Sequence, residues 1–348
     1  MKKNLSFISM IIAIFLLLAA CNADNDGKAT NDINTGSGDK AEDSKTNGDD
    51  YADALKGEFI TILSGGSSGV YFPLGGTMAK IYQDLGAKSN SQSTAASAAN
   101  ATTLNQGKAE IGFSMGDAAA DAYEGIDSFE EQGAQENIRS VASLYTNYMQ
   151  IVAIAGSGIK TIEDLKGKRV AVGAPASGTE ISAKRIFAAY GMTYDDIKAD
   201  YLSFSEGVEG MKNGNIDAVV ISSGLPNAGV LELATSKDIV IVEIEEDKVL
   251  EMQKDYPTFF PTIVPKDVYE GMEKDANTLG VNNVLITHKD VSDDVVYAMT
   301  KALFENIDQL QNSHNAAKDI DVKKALESLP APLHPGAKKY FDEEGVTE

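Results

Sequence analysis

Lys168 to Tyr190 reads KRVAVGAPASGTEISAKRIFAAY. Arg169 to Gly173 has the character of a buried strand, Ala174 to Ser177 is a turn of small residues, and from Gly178 a helix begins. A strand, turn and helix in this order leave the first backbone N–H groups of the helix without partners, and that end carries roughly half a positive charge. A carboxylate can sit there without an arginine, with Ser177 and Thr179 as further donors beside the Gly178 amide. The same residues also suit a plain N-cap.

Working outward, this unit recurs. Upstream, Phe59 to Leu63 predicts a strand, Ser64-Gly65-Gly66-Ser67-Ser68-Gly69 a turn, and Val70 to Leu85 a helix. A second strand falls near Ala87 to Ser91, Gln92-Ser93-Thr94 opens a small-residue helix to Gln106, and Ile111 to Phe113 is a third strand leading through Ser114 to Asp117 into a helix from Ala118. About a hundred residues on, the order repeats. Val170 to Val172 is a strand, Ser177 opens a helix to Tyr190, Ala199 to Phe204 is a strand, Ser205-Glu206 opens a helix to Lys212, and Ala218 to Ile221 is a strand followed by Ser222-Ser223-Gly224. The turns match in kind: Gly107-x-x-Glu110 before the one third strand answers Gly214-x-x-Asp217 before the other. Two tandem β-α-β halves imply parallel strands, whose carboxyl ends are where ligands bind.

Tyr148 to Ala155 and Leu279 to Thr287 are apolar strands outside the repeats, Tyr256 to Tyr269 is irregular, and Val291 to Gln311 reads as one long amphipathic helix. With the two strands as crossings, the fold class is α/β: two Rossmann-like lobes joined by hinge strands, lobe I being 51–149 plus 282–348 and lobe II 150–281.

Residues 1–20 have the pattern of an export signal, Lys2-Lys3 followed by a short apolar run, and end at Leu18-Ala19-Ala20-Cys21. That tetrapeptide resembles the lipobox of bacterial lipoproteins, which makes Cys21 the lipidated first mature residue. Residues 21–50 are almost devoid of apolar side chains and read as a disordered tether. The expectation is a protein held at the extracytoplasmic face of a membrane. With 52 acidic against 30 basic residues the chain carries a formal charge of −22, which disfavours nucleic acid as a partner.

The enzyme signatures are sparse. Cys21 is the only cysteine, so no internal disulfide or second candidate thiol exists, and the three histidines, His288, His314 and His334, form no HExxH or other close pair. Neither a GxSxG elbow nor a GxxxxGK[ST] loop occurs, and the turn at Ser64 to Gly69 lacks Rossmann spacing. No cofactor and no metal are expected. Hydroxyls, amides and free N–H groups on two facing lobes are instead the equipment of a receptor for a small polar solute.

Six segments in order carry a more specific resemblance: SSGVYFPLGG (Ser67 to Gly76), Gln92-Ser93-Thr94 with Asn100, SMGDAAADAYEG (Ser114 to Gly125), Ser157-Gly158-Ile159-Lys160 through Gly167-Lys168-Arg169, GAPASGTE (Gly173 to Glu180) and Pro332-Leu333-His334-Pro335-Gly336-Ala337. Together they resemble the TAXI-type solute-binding subunits of TRAP transporters. The resemblance implies a bilobed, type II periplasmic-binding fold in a monomer that hands a solute, glutamate, glutamine or 2-oxoglutarate-like, to a membrane permease driven by an ion gradient. It places Ser67 and Tyr71 in the first-lobe turn, Thr94 at a helix start, Asp117 in a third turn, and Ser177 with Thr179 on the second lobe; Ser68, Gly178 and Ser222, in the same kind of strand-end turn, complete the expected ligand set. Tyr71 either closes over the solute or packs on its own helix. Thr94 either donates to a carboxylate or caps. Asp117 either pairs with a solute ammonium, favouring an amino acid, or caps. The family pattern usually has glycines where this chain has Ala95-Ala96 and Ala176. His334 reads as lobe packing. The alternatives are an enzyme on the same fold, for which Asp117 paired with a lysine such as Lys184 would be the mark, and an adhesin or signalling co-receptor.

Overall fold

The computed structural model describes residues 51–347. The segments expected to be an export signal, a lipidated Cys21 and a tether lie outside the described residues. The two tandem units are present. The first runs β1 (Phe59–Leu63), α1 (Tyr71–Asp84), β2 (Lys88–Gln92), α2 (Ser97–Asn105), β3 (Ile111–Met115) and α3 (Gly116–Glu124). After β4 (Ile138–Ile154), the second runs β5 (Arg169–Ala171), α4 (Gly178–Ala189), β6 (Lys198–Asp200), α5 (Phe204–Lys212), β7 (Ala218–Ser223) and α6 (Ala228–Ala234). There follow β8 (Ile239–Val242), α7 (Glu246–Met252), β9 (Phe259–Val264), β10 (Ala276–His288), α8 (Asp293–Glu305), α9 (Ile307–Ser313) and α10 (Pro335–Glu343).

All ten strands join one sheet in the order β2-β1-β3-β10-β4-β7-β5-β6, with β8 on β4 and β9 on β10. Within each repeat the strands pair in parallel, β1 between β2 and β3, and β5 between β6 and β7. The two long strands run antiparallel to each other and to their neighbours. β4 pairs with β10 through Tyr148 and with β7 from Tyr148 on, while β10 pairs with β9 through Val281 and with β3 from Asn283 on. Each therefore belongs to both halves, which is the bilobed type II arrangement. The β4–β10 register shifts between Asn282 and Val284, where a bulge bends the crossing.

Both ends of the hydrophobic pattern held up because parallel strands covered on two faces read as continuous apolar runs. β3 and β7 are buried at every position. Four boundaries differ from the sequence reading. β4 begins at Ile138, ten residues before Tyr148, because its first half alternates Ser, Thr and Asn with apolar residues and lacks the continuous run. β6 is only three residues long; Ser203, not Ser205, caps α5 in a reciprocal box with Glu206. Residues 256–269, read as irregular, contain β9 with Pro261 on it. The long C-terminal helix is broken at Asn306, whose φ of −111° leaves the helical region and whose side-chain amide donates to the Ala302 carbonyl at 2.9 Å. Of the stripe expected on it, Val295, Met299, Leu303 and Ile307, the first three are buried with α1 and α10 residues in one cluster and Ile307 is partly buried against it.

Candidate functional site

A cavity of about 80 Å³ lies between the two halves, lined by residues at or just beyond the ends of β1, β2, β3, β5, β6 and β7 and by Tyr145 and Asn147 from the middle of β4. Its walls are helix starts. Val70, Ala96, Met115, Ser177 and Ser203, the residues immediately before α1, α2, α3, α4 and α5, all line it. Each of these helices has at least nine residues, so five positive dipole ends border one small space, although some first-turn N–H groups are already met, those of Phe72, Ala99, Glu180 and Glu206 among them. The lining holds Gly, Ala, Val, Met, Phe, Tyr, Ser, Thr and Asn, with no charged side chain.

Ser177 is the N-cap of α4, its Oγ accepting from the Glu180 amide at 3.2 Å. Capping uses one of its two acceptor lone pairs and leaves the hydroxyl proton free for a ligand, so the two readings of this residue coexist. Gly178 sits where a β-carbon would lie 2.6 Å from Met115 Sδ and 2.8 Å from Ser97 Oγ on the opposite half. Only glycine lets α4 approach that closely. Thr179 is buried and lines the cavity beside it.

Two buried hydroxyls have no protein partner among the described residues: Tyr145 Oη from the crossing strand β4 and Ser222 Oγ from β7 in the second repeat. Both residues line the cavity. A buried hydroxyl left unpaired costs about 1–3 kcal/mol, which a solute oxygen would recover. Behind them a polar chain crosses the hinge. Tyr71, stacked on Phe113 at 4.9 Å, donates to Asn283 Oδ1, and the Asn283 amide donates to Asn147 Oδ1 at 2.8 Å and to the Tyr145 carbonyl at 3.0 Å. Burial pushes the Tyr71 and Tyr145 hydroxyls well above the ordinary tyrosine range, so both are neutral donors at physiological pH.

Of the residues expected at the site, Tyr71, Thr94, Ser177, Gly178, Thr179 and Ser222 are brought together here. Ser67 and Ser68 are not. Ser67 is exposed, and Ser68 contributes its carbonyl, which accepts from the Asn227 amide at 3.0 Å across the two halves. Thr94 lines the cavity but caps no helix, since α2 starts at Ser97. Its Oγ1 receives the Ala96 amide at 2.9 Å and its single proton faces two protein acceptors, the Ser64 carbonyl and Asn100 Oδ1, so it braces the turn.

Asp117 is a correction. It lies in the first turn of α3, 2 % exposed, outside the cavity, with Oδ2 accepting from Ser182 Oγ at 2.8 Å and Arg185 Nη1 at 3.2 Å. A carboxylate already paired with a guanidinium is not free for a solute ammonium. Nor is its partner Lys184, the pairing that would mark an enzyme. His334 is fully buried, its Nδ1 capping α10 through the Gly336 amide at 3.2 Å.

Sequence reasoning missed Tyr145, Asn147, Ser203 and Asn283. Asn283 had a signal, a polar residue inside an otherwise apolar strand, whereas Asn147 sits in the mixed first half of β4, outside the stretch that reads as strand. Tyr145 had none, because an aromatic in a strand is ordinary core.

Fold and cavity together define a two-lobed α/β protein with an uncharged, hydroxyl-lined cleft. Residues 62–345 match the NMT1-like family, and the chain belongs to it. Among solved structures it is similar to a protein of Bordetella bronchiseptica RB50, at 17 % identity and a TM-score of 0.53, over 82 % of this chain and 98 % of that one. That likeness is one of fold. It is also similar to the periplasmic aliphatic sulphonate binding protein of Escherichia coli (16 % identity, TM-score 0.42, 82 % and 78 % covered) and to an ancestral arginine-binding protein bound to arginine (17 % identity, TM-score 0.42, 76 % and 99 % covered).

Proposed function

We propose that this chain is the extracytoplasmic receptor of a TRAP transporter of the TAXI type, a non-enzymatic protein that encloses one small carboxylate-bearing solute between lobe I (51–149 with 282–348) and lobe II (150–281) and delivers it to a membrane permease. The observation that carries the reading is the convergence of five helix N-termini and two unpartnered hydroxyls on an uncharged cavity. N–H groups and hydroxyls donate, and a carboxylate accepts several such bonds at once. The permease and the lipid at Cys21 rest on the sequence resemblance alone.

The cavity also bears on which carboxylate. With Asp117 outside the cavity and bound to Arg185, and no acidic side chain in the lining, an ammonium group would find no countercharge. Within the glutamate, glutamine and 2-oxoglutarate range, the solute without an amine is favoured. Calorimetric titration of the intact chain with 2-oxoglutarate, succinate, glutamate and glutamine tests this: saturable binding is expected for the first two, weaker for the amino acids. Absence of binding to these and to a wider panel of small polar metabolites would overturn the receptor reading.

A further inference from the structure

Arg185 lies on the second turn of α4, in the second repeat, yet its charge is neutralised by the first. Its guanidinium is 3.2 Å from Asp117 and 2.5 Å from Asp121, both on α3, and 2.6 Å from Asp127 in the short helical turn Asp127–Phe129 that follows. The residue is only 6 % exposed, and its flat face covers the Tyr256 ring at 3.9 Å, with Phe259 at 5.9 Å. Ser182, one turn earlier on α4, donates to Asp117 as well. Nothing in this cluster touches the solute cavity, and every ionic contact in it joins one repeat to the other. Three further contacts join the halves near the cleft: the Ala99 amide to the Ala176 carbonyl, Asn227 to the Ser68 carbonyl, and the close seat of Gly178 on Ser97. The two halves thus touch on both sides of the cleft, and the cluster is part of that contact.

We propose that Arg185 is a positioning residue for solute capture: a latch that engages Asp117, Asp121 and Asp127 only when the two lobes close, and whose surplus of carboxylates makes closure sensitive to pH. The proposal rests on the reading of the chain as a two-lobed receptor. One guanidinium faces three carboxylates, and Asp117 Oδ1 has no partner. Opening hydrates all four charges, so burying the cluster concentrates negative charge that a proton relieves. The groups facing Asp121 are Asp117 on its own helix, Asp127 from the following turn and Arg185 from α4. Desolvation, opposed by Arg185, pushes Asp121 up to about 6 from an ordinary 3.8, and Asp117 is raised too, for the same reason. A carboxyl whose affinity for a proton is greater in the closed form favours that form as the pH falls through the raised value. For Asp121 alone, linkage gives about a fourfold rise in the closed-to-open ratio between pH 7.5 and 5.5.

The test needs no solute. Lys80 on α1 and Lys237, between α6 and β8, are exposed and belong to different repeats. In the intact chain carrying Cys21→Ser, Lys80→Cys and Lys237→Cys, spin labels at those positions report the distance between lobes. Expected are a short-distance population that grows several-fold from pH 7.5 to 5.5, its loss by tenfold or more in Arg185→Gln at both pH values, and partial recovery in Arg185→Lys, which keeps the charge but not the fork. Asp121→Asn, which removes a surplus charge and leaves the fold unburdened, should stay closed and flatten the pH profile. A short-distance population equal in Arg185→Gln and the parent, an Asp121→Asn profile as steep as the parent's, or a parent that is wholly open at both pH values would each overturn the latch. Failure of the carboxylate titration would leave this measurement untouched, so the two readings fail separately.

Discussion

The amide of Ala99 on α2 donates a hydrogen bond of 3.2 Å to the carbonyl oxygen of Ala176 in the turn before α4. It is a backbone bond between the two repeats, and the residues that frame it are strained. Ala176 has φ of +60°, and Ala96, which begins α2, has φ of +73° with ψ of −140°. Alanine rarely adopts either conformation, and the second is almost confined to glycine. These are positions at which the resembling family usually carries glycine, and the reason is now visible: the two turns meet only with left-handed backbone.

Ala96→Gly should therefore stabilise the chain by roughly 1 kcal/mol, the relief of strain exceeding the entropy that glycine adds to the unfolded state. At Ala176 the two effects nearly cancel, and Ala176→Gly is expected within about 0.5 kcal/mol of neutral. Urea denaturation of both variants checks this. Destabilisation by Ala96→Gly would mean that the backbone at Ala96 is not held as described.

Gly178→Ala adds a methyl facing Met115 and Ser97 across the cleft while leaving a good helix former in α4. The expected result is a near-normal melting temperature with solute affinity reduced about tenfold or more, since an overpacked contact costs about 1–3 kcal/mol and falls on the closed form. Calorimetry beside a thermal melt separates the two. Unchanged affinity would place the close approach outside the binding step.

Tyr145→Phe and Ser222→Ala remove the two unpartnered hydroxyls. Each should weaken solute binding about threefold to tenfold, the worth of one hydrogen bond, and leave the solute-free protein as stable or slightly more so. If either variant binds as the parent does, that hydroxyl is not a ligand contact, whatever the solute.

The paired turns before β3 and β7 do the same work twice. Glu110 Oε2 accepts the Thr61 amide at 2.6 Å, and Asp217 Oδ2 accepts the Arg169 amide at 2.8 Å while Oδ1 takes the guanidinium at 2.6 Å. The Arg169 hydrogen bonds hold Asp217 below the usual carboxylate range. Its stabilisation is therefore complete above its unfolded value near 3.8 and fades as pH falls through the lowered folded value. Asp217→Asn should lower the melting temperature by about 2 °C at pH 7, as befits a half-exposed pair. The gap should narrow at pH 3, and a gap that persists there would assign the effect to packing.

The tandem architecture was legible in the sequence because repeats conserve turn chemistry: Gly107-x-x-Glu110 and Gly214-x-x-Asp217 announce identical strand starts, and Ser177 announces a helix start. These are local facts, decided by backbone preference and by hydrogen bonds a few residues long. The stretch from Lys168 to Tyr190 accordingly folds where it was expected to, with Ser177 capping α4.

What the sequence by itself determined, then, is the two α/β halves, their order and the place of the cleft at the strand ends. What only the tertiary structure decided is which polar groups the cleft keeps. Asp117 looks available until Arg185 arrives from the other half, and Tyr145 looks like core until the cavity beside it leaves its hydroxyl unpaired. A side chain's partners across a hinge are separated by tens to hundreds of residues, and no local pattern records whether a buried charge has been met.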